Sequence, residues 1–149
     1  MKSLVENKKA RLEYEILESY EAGLQLLGLE VKSLRSGKAS LAGARVVVRG
    51  GEAFLLGVTI SPYQVGNTAK SYDPERTRRL LMSKKEIAEL AVKEGQKGLT
   101  IIPIMVYNKN KKLKVQVAVV RHKGKHDKRD TLKSRDAKRE IDRTLKTEY

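Results

Sequence analysis

The chain has 149 residues, 40% of them apolar, with 32 Lys or Arg against 18 Asp or Glu and a formal net charge of +14. That length holds one domain with a real core, and a pI near 10.0 points to a polyanionic partner, nucleic acid first and an anionic membrane surface second. There is no cysteine for disulfides or thiolate zinc sites, no apolar run near the ~18 residues that span a bilayer, and no apolar signal core after Met1, so a cytoplasmic protein is expected.

From Leu12 to Leu26 the even positions are mostly apolar and the odd ones carry Glu13, Glu15, Ser19, Glu21 and Gln25, the period-two pattern of a long half-buried strand. After Gly28 the spacing of Val31 and Leu34 predicts a short helix that stops at Gly37. Residues 44–48 and 53–58 flank Gly50-Gly51, which suits the positive φ angles of a tight β-hairpin. A polar loop from Pro62 to Tyr72 leads to Asp73-Pro74, read as an N-cap and first-turn proline opening a helix through about Met82. Ser83-Lys84-Lys85-Glu86 is a capping box heading a further helix, with Ile87, Leu90 and Ala91 inward and Gly95 as its stop. Two strands follow, residues 99–107 and 113–120, joined by a tip that carries Lys109, Lys111 and Lys112; Pro103 predicts an edge or a bulge. The order predicts a mainly β fold: an antiparallel sheet curled into a small barrel with about three capping helices, formed by residues 1–120.

Residues 121–149 carry 11 Lys or Arg, 6 Asp or Glu and only five apolar side chains, too few to bury a core. Their first nine positions hold five Lys or Arg and both histidines, so this segment reads as a polyanion-seeking tail that is disordered when free. If helical after about Asp130, it places Ala137, Ile141 and Leu145 on one side and Arg135, Arg139 and Arg143 on the other.

Catalytic signals are absent. A triad has no scaffold in that tail. His122 and His126, with Gly124 between them, make no metal site, and neither a metal nor a cofactor is expected. Ser36-Gly37-Lys38-Ala39 lacks the upstream glycine and the hydroxyl of a phosphate loop. Gly95-Gln96-Lys97-Gly98 resembles a GXXG clamp but joins a helix to a strand, which favours a helix stop and turn. The lysines of the 109–112 tip read equally as phosphate contacts or as an ordinary exposed loop. Arg76, Arg78 and Arg79 would crowd the start of the helix after Asp73, where the helix dipole favours acids; an external anion, or Glu75 and solvent, would offset them. With six Tyr, one Phe and no Trp, stacking single strands is a poor fit, and reading the shape and backbone of folded RNA a better one.

Five blocks in register, Asn7-Lys8-Lys9-Ala10-Arg11, Tyr20-Glu21-Ala22-Gly23-Leu24, residues 30–38 (EVKSLRSGK), Asp73-Pro74-Glu75-Arg76 and His126-Asp127-Lys128-Arg129, resemble the signature of the bacterial small protein B, or SsrA-binding, family. The resemblance implies a small closed antiparallel barrel like the oligonucleotide-binding fold. It also implies a non-enzymatic role: binding the tRNA-like domain of tmRNA and delivering it to ribosomes stalled on truncated messages. Asn7, Glu21 and Leu81 match its RNA-binding positions, and Lys8, Lys9, Lys32, Arg35, Lys38, Arg76, Arg78, Lys109, Lys111 and Lys112 complete the candidate RNA surface. Lys128, Arg129 and the following residues match the segment that enters the empty mRNA channel. The candidates there are Lys123, Lys125, His126, Asp127, Lys128, Arg129, Lys133, Arg135, Lys138, Arg139, Ile141 and Arg143. The implied partners are tmRNA, the small-subunit rRNA and decoding centre, and elongation factor Tu through the charged tmRNA; no membrane is among them. A ribosomal-protein-like module that threads rRNA is the alternative.

Overall fold

The structure, a computed structural model, describes residues 3–64, 66 and 70–123. Among the described residues, nine strands and three helices follow in the order β1 (Ser3–Glu6), α1 (Ala10–Glu13), β2 (Tyr14–Leu24), α2 (Gly28–Arg35), β3 (Ala39–Ser40), β4 (Arg45–Arg49), β5 (Glu52–Leu56), β6 (Thr59–Ile60), β7 (Arg78–Leu81), α3 (Lys84–Glu94), β8 (Leu99–Lys109) and β9 (Lys112–His122). Seven strands form one antiparallel sheet in the order β1-β8-β9-β2-β7-β5-β4, and β3 pairs with β6 separately.

The expected closed barrel is corrected here: β1 and β4 end the seven-stranded order without pairing to each other, so the sheet stays open. Closure depends on whether two strands far apart in sequence meet, which the alternation along either one does not encode.

The period-two pattern of β2, β8 and β9 sorts their side chains onto two faces. Val115, Val117 and Val119 of β9, Ala22 of β2, Ile101 and Val106 of β8 and Leu80 of β7 point into the main core, with Leu34 of α2 and Ile87 and Leu90 of α3 packed on it. The opposite face carries a smaller apolar cluster of Ala10, Ile102, Ile104, Ala118 and Val120, flanked by Tyr14 and Ile16. β2 is bulged between Ile16 and Glu18, and β8 between Pro103 and Met105, where proline has no N–H to give the ladder.

Two turns are set by backbone conformation. Gly50 and Gly51 take φ of 61° and 76° between β4 and β5, as a type I′ hairpin requires. Asn110 and Lys111 do the same job between β8 and β9 at φ 50° and 66°, Lys111 without a glycine's freedom.

The helix expected after Asp73 does not form. Asp73 accepts the Glu75 N–H through its side chain at 2.9 Å and the Arg76 N–H through its carbonyl at 3.1 Å, closing a turn that runs into strand β7. Arg78 and Leu80 then point inward while Arg79 and Leu81 point outward, a period of two that a buried arginine disguises. The capping box at Ser83 is present, its side chain accepting the Glu86 N–H at 3.2 Å. Ile87 and Leu90 are buried as expected, but Ala91 is exposed.

Candidate nucleic-acid interface

Antiparallel register lines up side chains across the second face of the sheet. Gly23 on β2 faces Leu81 on β7 and Lys114 on β9, and Lys114 faces Tyr107 on β8, so Leu81, Gly23, Lys114 and Tyr107 form one row. The next row along β2 and β9 pairs Glu21 with Gln116. The Tyr107 ring is buried, and its hydroxyl donates to Glu21 Oε2 at 2.5 Å, while Lys109 Nζ donates to both Glu21 oxygens at 3.2 Å. The Tyr107 hydrogen bond, with Lys109 behind it, holds the Glu21 carboxyl below the usual carboxylate range although desolvation opposes the shift. In turn, burial and then the Glu21 contact push the Tyr107 hydroxyl up, so it stays a donor. Glu21 is therefore an ionised acceptor with a fixed orientation.

The other acids of β2 are paired too: Glu15 with Arg121, and Glu18 with Lys93 at 3.5 Å. In contrast, Lys32 and Arg35 on α2, Lys38 beyond it, and Lys111 and Lys112 at the hairpin form no ion pair among the described residues, and Lys114 acts on Glu21 only from beyond ion-pair distance. Arg35 donates to the Lys111 carbonyl at 3.2 Å, joining helix and hairpin tip. Lys32 and Lys38 reach over the Tyr63 ring at 5.9 and 5.4 Å. Between the hairpin tip, α2 and Leu81 lies an open cleft of about 410 Å³, lined by Gly23, Leu24, Leu26, Val31 and Leu113 beneath Arg35, Lys111, Lys112 and Lys114.

Arg76 and Arg78 do not belong to this surface as predicted. Both turn to Glu30, whose carboxylate is fully buried. Arg78 is likewise fully buried: it donates to Glu30 Oε2 from Nε at 2.9 Å and from Nη2 at 2.5 Å, and to the Val58 and Pro74 carbonyls at 2.7 and 2.9 Å. Arg76 adds Nε to Glu30 Oε2 at 3.1 Å and a second bond from Nη2, and the Tyr72 hydroxyl donates to the same oxygen at 3.1 Å. Burial alone would raise the Glu30 pKa, but the Arg76, Leu27 N–H and Arg78 donors outweigh it and hold the carboxyl below its ordinary range. The anion these arginines call for is thus internal. Arg78 presents no surface to RNA, and Arg76 keeps 30% of its side chain exposed. Arg79 pairs with Glu52 at 2.9 Å.

Asn7 anchors the turn from β1 into α1 at the β8 bulge, its side chain donating to the Pro103 carbonyl at 3.1 Å and its backbone N–H to the Ile104 carbonyl at 2.7 Å. Lys8 and Lys9 are exposed beside it, on a second cleft of about 500 Å³ that also contains Glu6, Glu13 and Arg45. Its mixed charge makes it the poorer anion site of the two. Arg121 and His122 continue β9, with His122 edge-on to Tyr14 at 5.3 Å, and Lys123 donates to the Arg11 carbonyl at 3.3 Å. The candidates from Lys125 to Arg143, and the readings of a disordered or helical tail, lie outside the described residues. Among the described residues no cluster of acids or histidines is arranged to hold a metal, and no helix is long and apolar enough to cross a membrane.

Sequence reasoning missed Gly23, Tyr107 and Lys114 as parts of the site, because each joins it only through cross-strand register. The internal role of Glu30 had one signal: two arginines at positions 76 and 78 leading into Leu80, the i, i+2 spacing of one strand face.

A family model described as SmpB protein matches residues 4–147. An SsrA-binding protein of Thermosynechococcus vestitus is 49% identical over 146 residues, covering 98% of this chain and 96% of its own length. Another, from Pelotomaculum thermopropionicum, is 51% identical over 146 residues, covering 98% and 95%. A chain solved in a structure described as "tmRNA-SmpB: a journey to the center of the bacterial ribosome" is similar at TM-score 0.69 and 42% identity, over 86% of this chain and 93% of that one.

Proposed function

The chain belongs to the SmpB, or SsrA-binding protein, family, and from that premise we propose that it binds the tRNA-like domain of tmRNA and brings it to ribosomes stalled on truncated messages. Members of this family are RNA-binding proteins and not enzymes, and the chain acts in trans-translation through tmRNA and the ribosome. The observation that carries the finer reading is the set of six cations outside any ion pair among the described residues, Lys32 and Arg35 on α2, Lys38 just past it and Lys111, Lys112 and Lys114 at the β8–β9 hairpin, beside Glu21 and the half-exposed Leu81.

Lysines and arginines on that scale gather phosphates and release counterions, which supplies affinity. Glu21 supplies selectivity, because an ionised, oriented carboxylate repels phosphate and accepts from base amino groups. Lys8 and Lys9 add positive charge near α1. The segment from Lys123 through Lys125, His126, Asp127, Lys128 and Arg129 to Lys133, Arg135, Lys138, Arg139, Ile141 and Arg143 enters the mRNA channel when no message fills it. There its cations meet small-subunit rRNA next to the decoding centre. Elongation factor Tu joins through the aminoacyl end of tmRNA rather than through this chain.

The test is a binding isotherm of the full chain on the labelled tRNA-like domain, repeated across salt concentrations. A steep salt dependence that flattens when Lys111, Lys112 and Lys114 become alanine supports the reading. Equal affinity for an unstructured RNA of the same length would contradict it.

A further inference from the structure

One carboxylate, Glu30, receives two guanidinium groups, although Arg78 alone balances its charge. Arg78 is fully buried and anchors the cluster, whereas Arg76 sits at its rim with 30% of its side chain exposed. A second, half-open cation beside a balanced pair adds little stability. What distinguishes Arg76 is where its bonds go.

Its guanidinium spans the corner at which β2 turns into α2. Nη2 reaches the Gln25 carbonyl on the strand side at 3.5 Å, and Nη2 and Nε donate to the two Glu30 oxygens on the helix side, Nε at 3.1 Å. Arg76 is held in turn, its backbone N–H donating to the Asp73 carbonyl at 3.1 Å and its Nη1 to the Thr77 carbonyl at 3.3 Å. Burial supports the corner only in part: Leu26 packs against the core, but Leu27 is 45% exposed and Gly28 has no side chain to pack. The bonds from the Gln25 N–H to the Arg79 carbonyl at 3.0 Å and from the Leu27 N–H to Glu30 at 2.9 Å each hold one side of it. Arg76 bridges both.

This corner separates Glu21 on β2 from Lys32 and Arg35 on α2. The helix has only eight residues, so a tilt at its start moves both cations relative to Glu21. An RNA that meets the carboxylate and the cations together depends on that spacing.

We propose that Arg76 is a positioning residue: it touches no RNA, and by bridging Gln25 and Glu30 it sets the distance between Glu21 and the cations of α2. The inference rests on the proposed binding of a folded RNA and gives Arg76 an indirect part in it. A planar guanidinium bonds both oxygens of Glu30 and the Gln25 carbonyl at once, whereas a lysine ammonium carries the same charge without the fork. Arg76→Lys therefore separates positioning from phosphate contact.

The full chain, Arg76→Lys and Arg76→Gln are titrated against the labelled tRNA-like domain across salt concentrations, at a temperature where circular dichroism shows all three folded. Both variants are expected to bind about fivefold more weakly with the salt dependence of the parent, because no phosphate contact has been removed. The affinity of Arg76→Lys for an unstructured RNA of the same length should equal that of the parent, which a partly unfolded protein would not achieve. In a background of Lys32→Ala with Arg35→Ala, Arg76→Lys should cost nothing further, since the groups it positions are gone. Parental affinity in Arg76→Lys, with a salt slope lower by about one in Arg76→Gln, would overturn the proposal and make Arg76 a phosphate contact. Parental affinity in both variants, or a loss that simply adds to that of the α2 substitutions, would overturn it as well. A parent that does not prefer the tRNA-like domain to the unstructured RNA would overturn the proposed function and this inference with it.

Discussion

Replacing Glu30 with Gln removes the charge from the centre of the arginine cluster and should be strongly destabilising. Glu30 and Arg78 are each fully buried, and Arg78 has no other carboxylate within reach among the described residues. The amide keeps one acceptor oxygen but turns a donor toward the guanidinium groups, leaving a buried cation without a counter-ion. Breaking such a pair costs about 3–5 kcal/mol, against a total stability on the order of 5–15 kcal/mol. At about 2–4 °C per kcal/mol for a chain of this size, the thermal midpoint should fall by about 10 °C. Arg76→Gln should cost about 1 kcal/mol, since that guanidinium reaches solvent and Arg78 still neutralises Glu30. Thermal and urea unfolding followed by circular dichroism measure both. Because the folded Glu30 pKa is depressed, its contribution is fully present above the unfolded value of about 4.3 and is lost as the pH falls through the lower folded value. Acid should therefore destabilise the parent protein more than Glu30→Gln. A Glu30→Gln midpoint equal to that of the parent would refute the reasoning.

Tyr107→Phe removes the donor that fixes Glu21; the Glu21 carboxyl should then titrate at a higher pH in a carbon-detected NMR experiment, and RNA affinity should drop at least about tenfold, the order of one hydrogen bond to a charged group. A protein ending after Lys123 keeps all of β9 and should retain much of its tmRNA affinity while losing rescue of stalled ribosomes, as read by peptide tagging in a reconstituted translation reaction.

Much of the β architecture was legible locally. Gly50-Gly51 announced its hairpin, the Asn110-Lys111 tip lay between two alternating runs, and Pro103 marked its bulge. The segment after Asp73 was misread because Asp-Pro opens a turn as readily as a helix, and because an arginine at an inward strand position inverts the polarity pattern that identifies a strand. Arg78 was assigned to the surface on its charge; only the fold reveals that its counter-ion sits on α2, 48 residues earlier. Glu21 could be placed on a polar strand face from its spacing alone. Its partners could not, since Tyr107 is 86 residues away and meets it through the stacking of β2, β9 and β8.

The most direct measurement of the central claim is the identity of the RNA that accompanies the full chain out of the cell. A tagged copy, recovered after washing in high salt and deproteinised, should yield one small RNA with a tRNA-like end as the main species on sequencing, and Glu21→Ala should deplete it. A yield made only of ribosomal RNA, at one copy of the protein per ribosome and resistant to salt, would contradict the account and identify the chain as a resident ribosomal component.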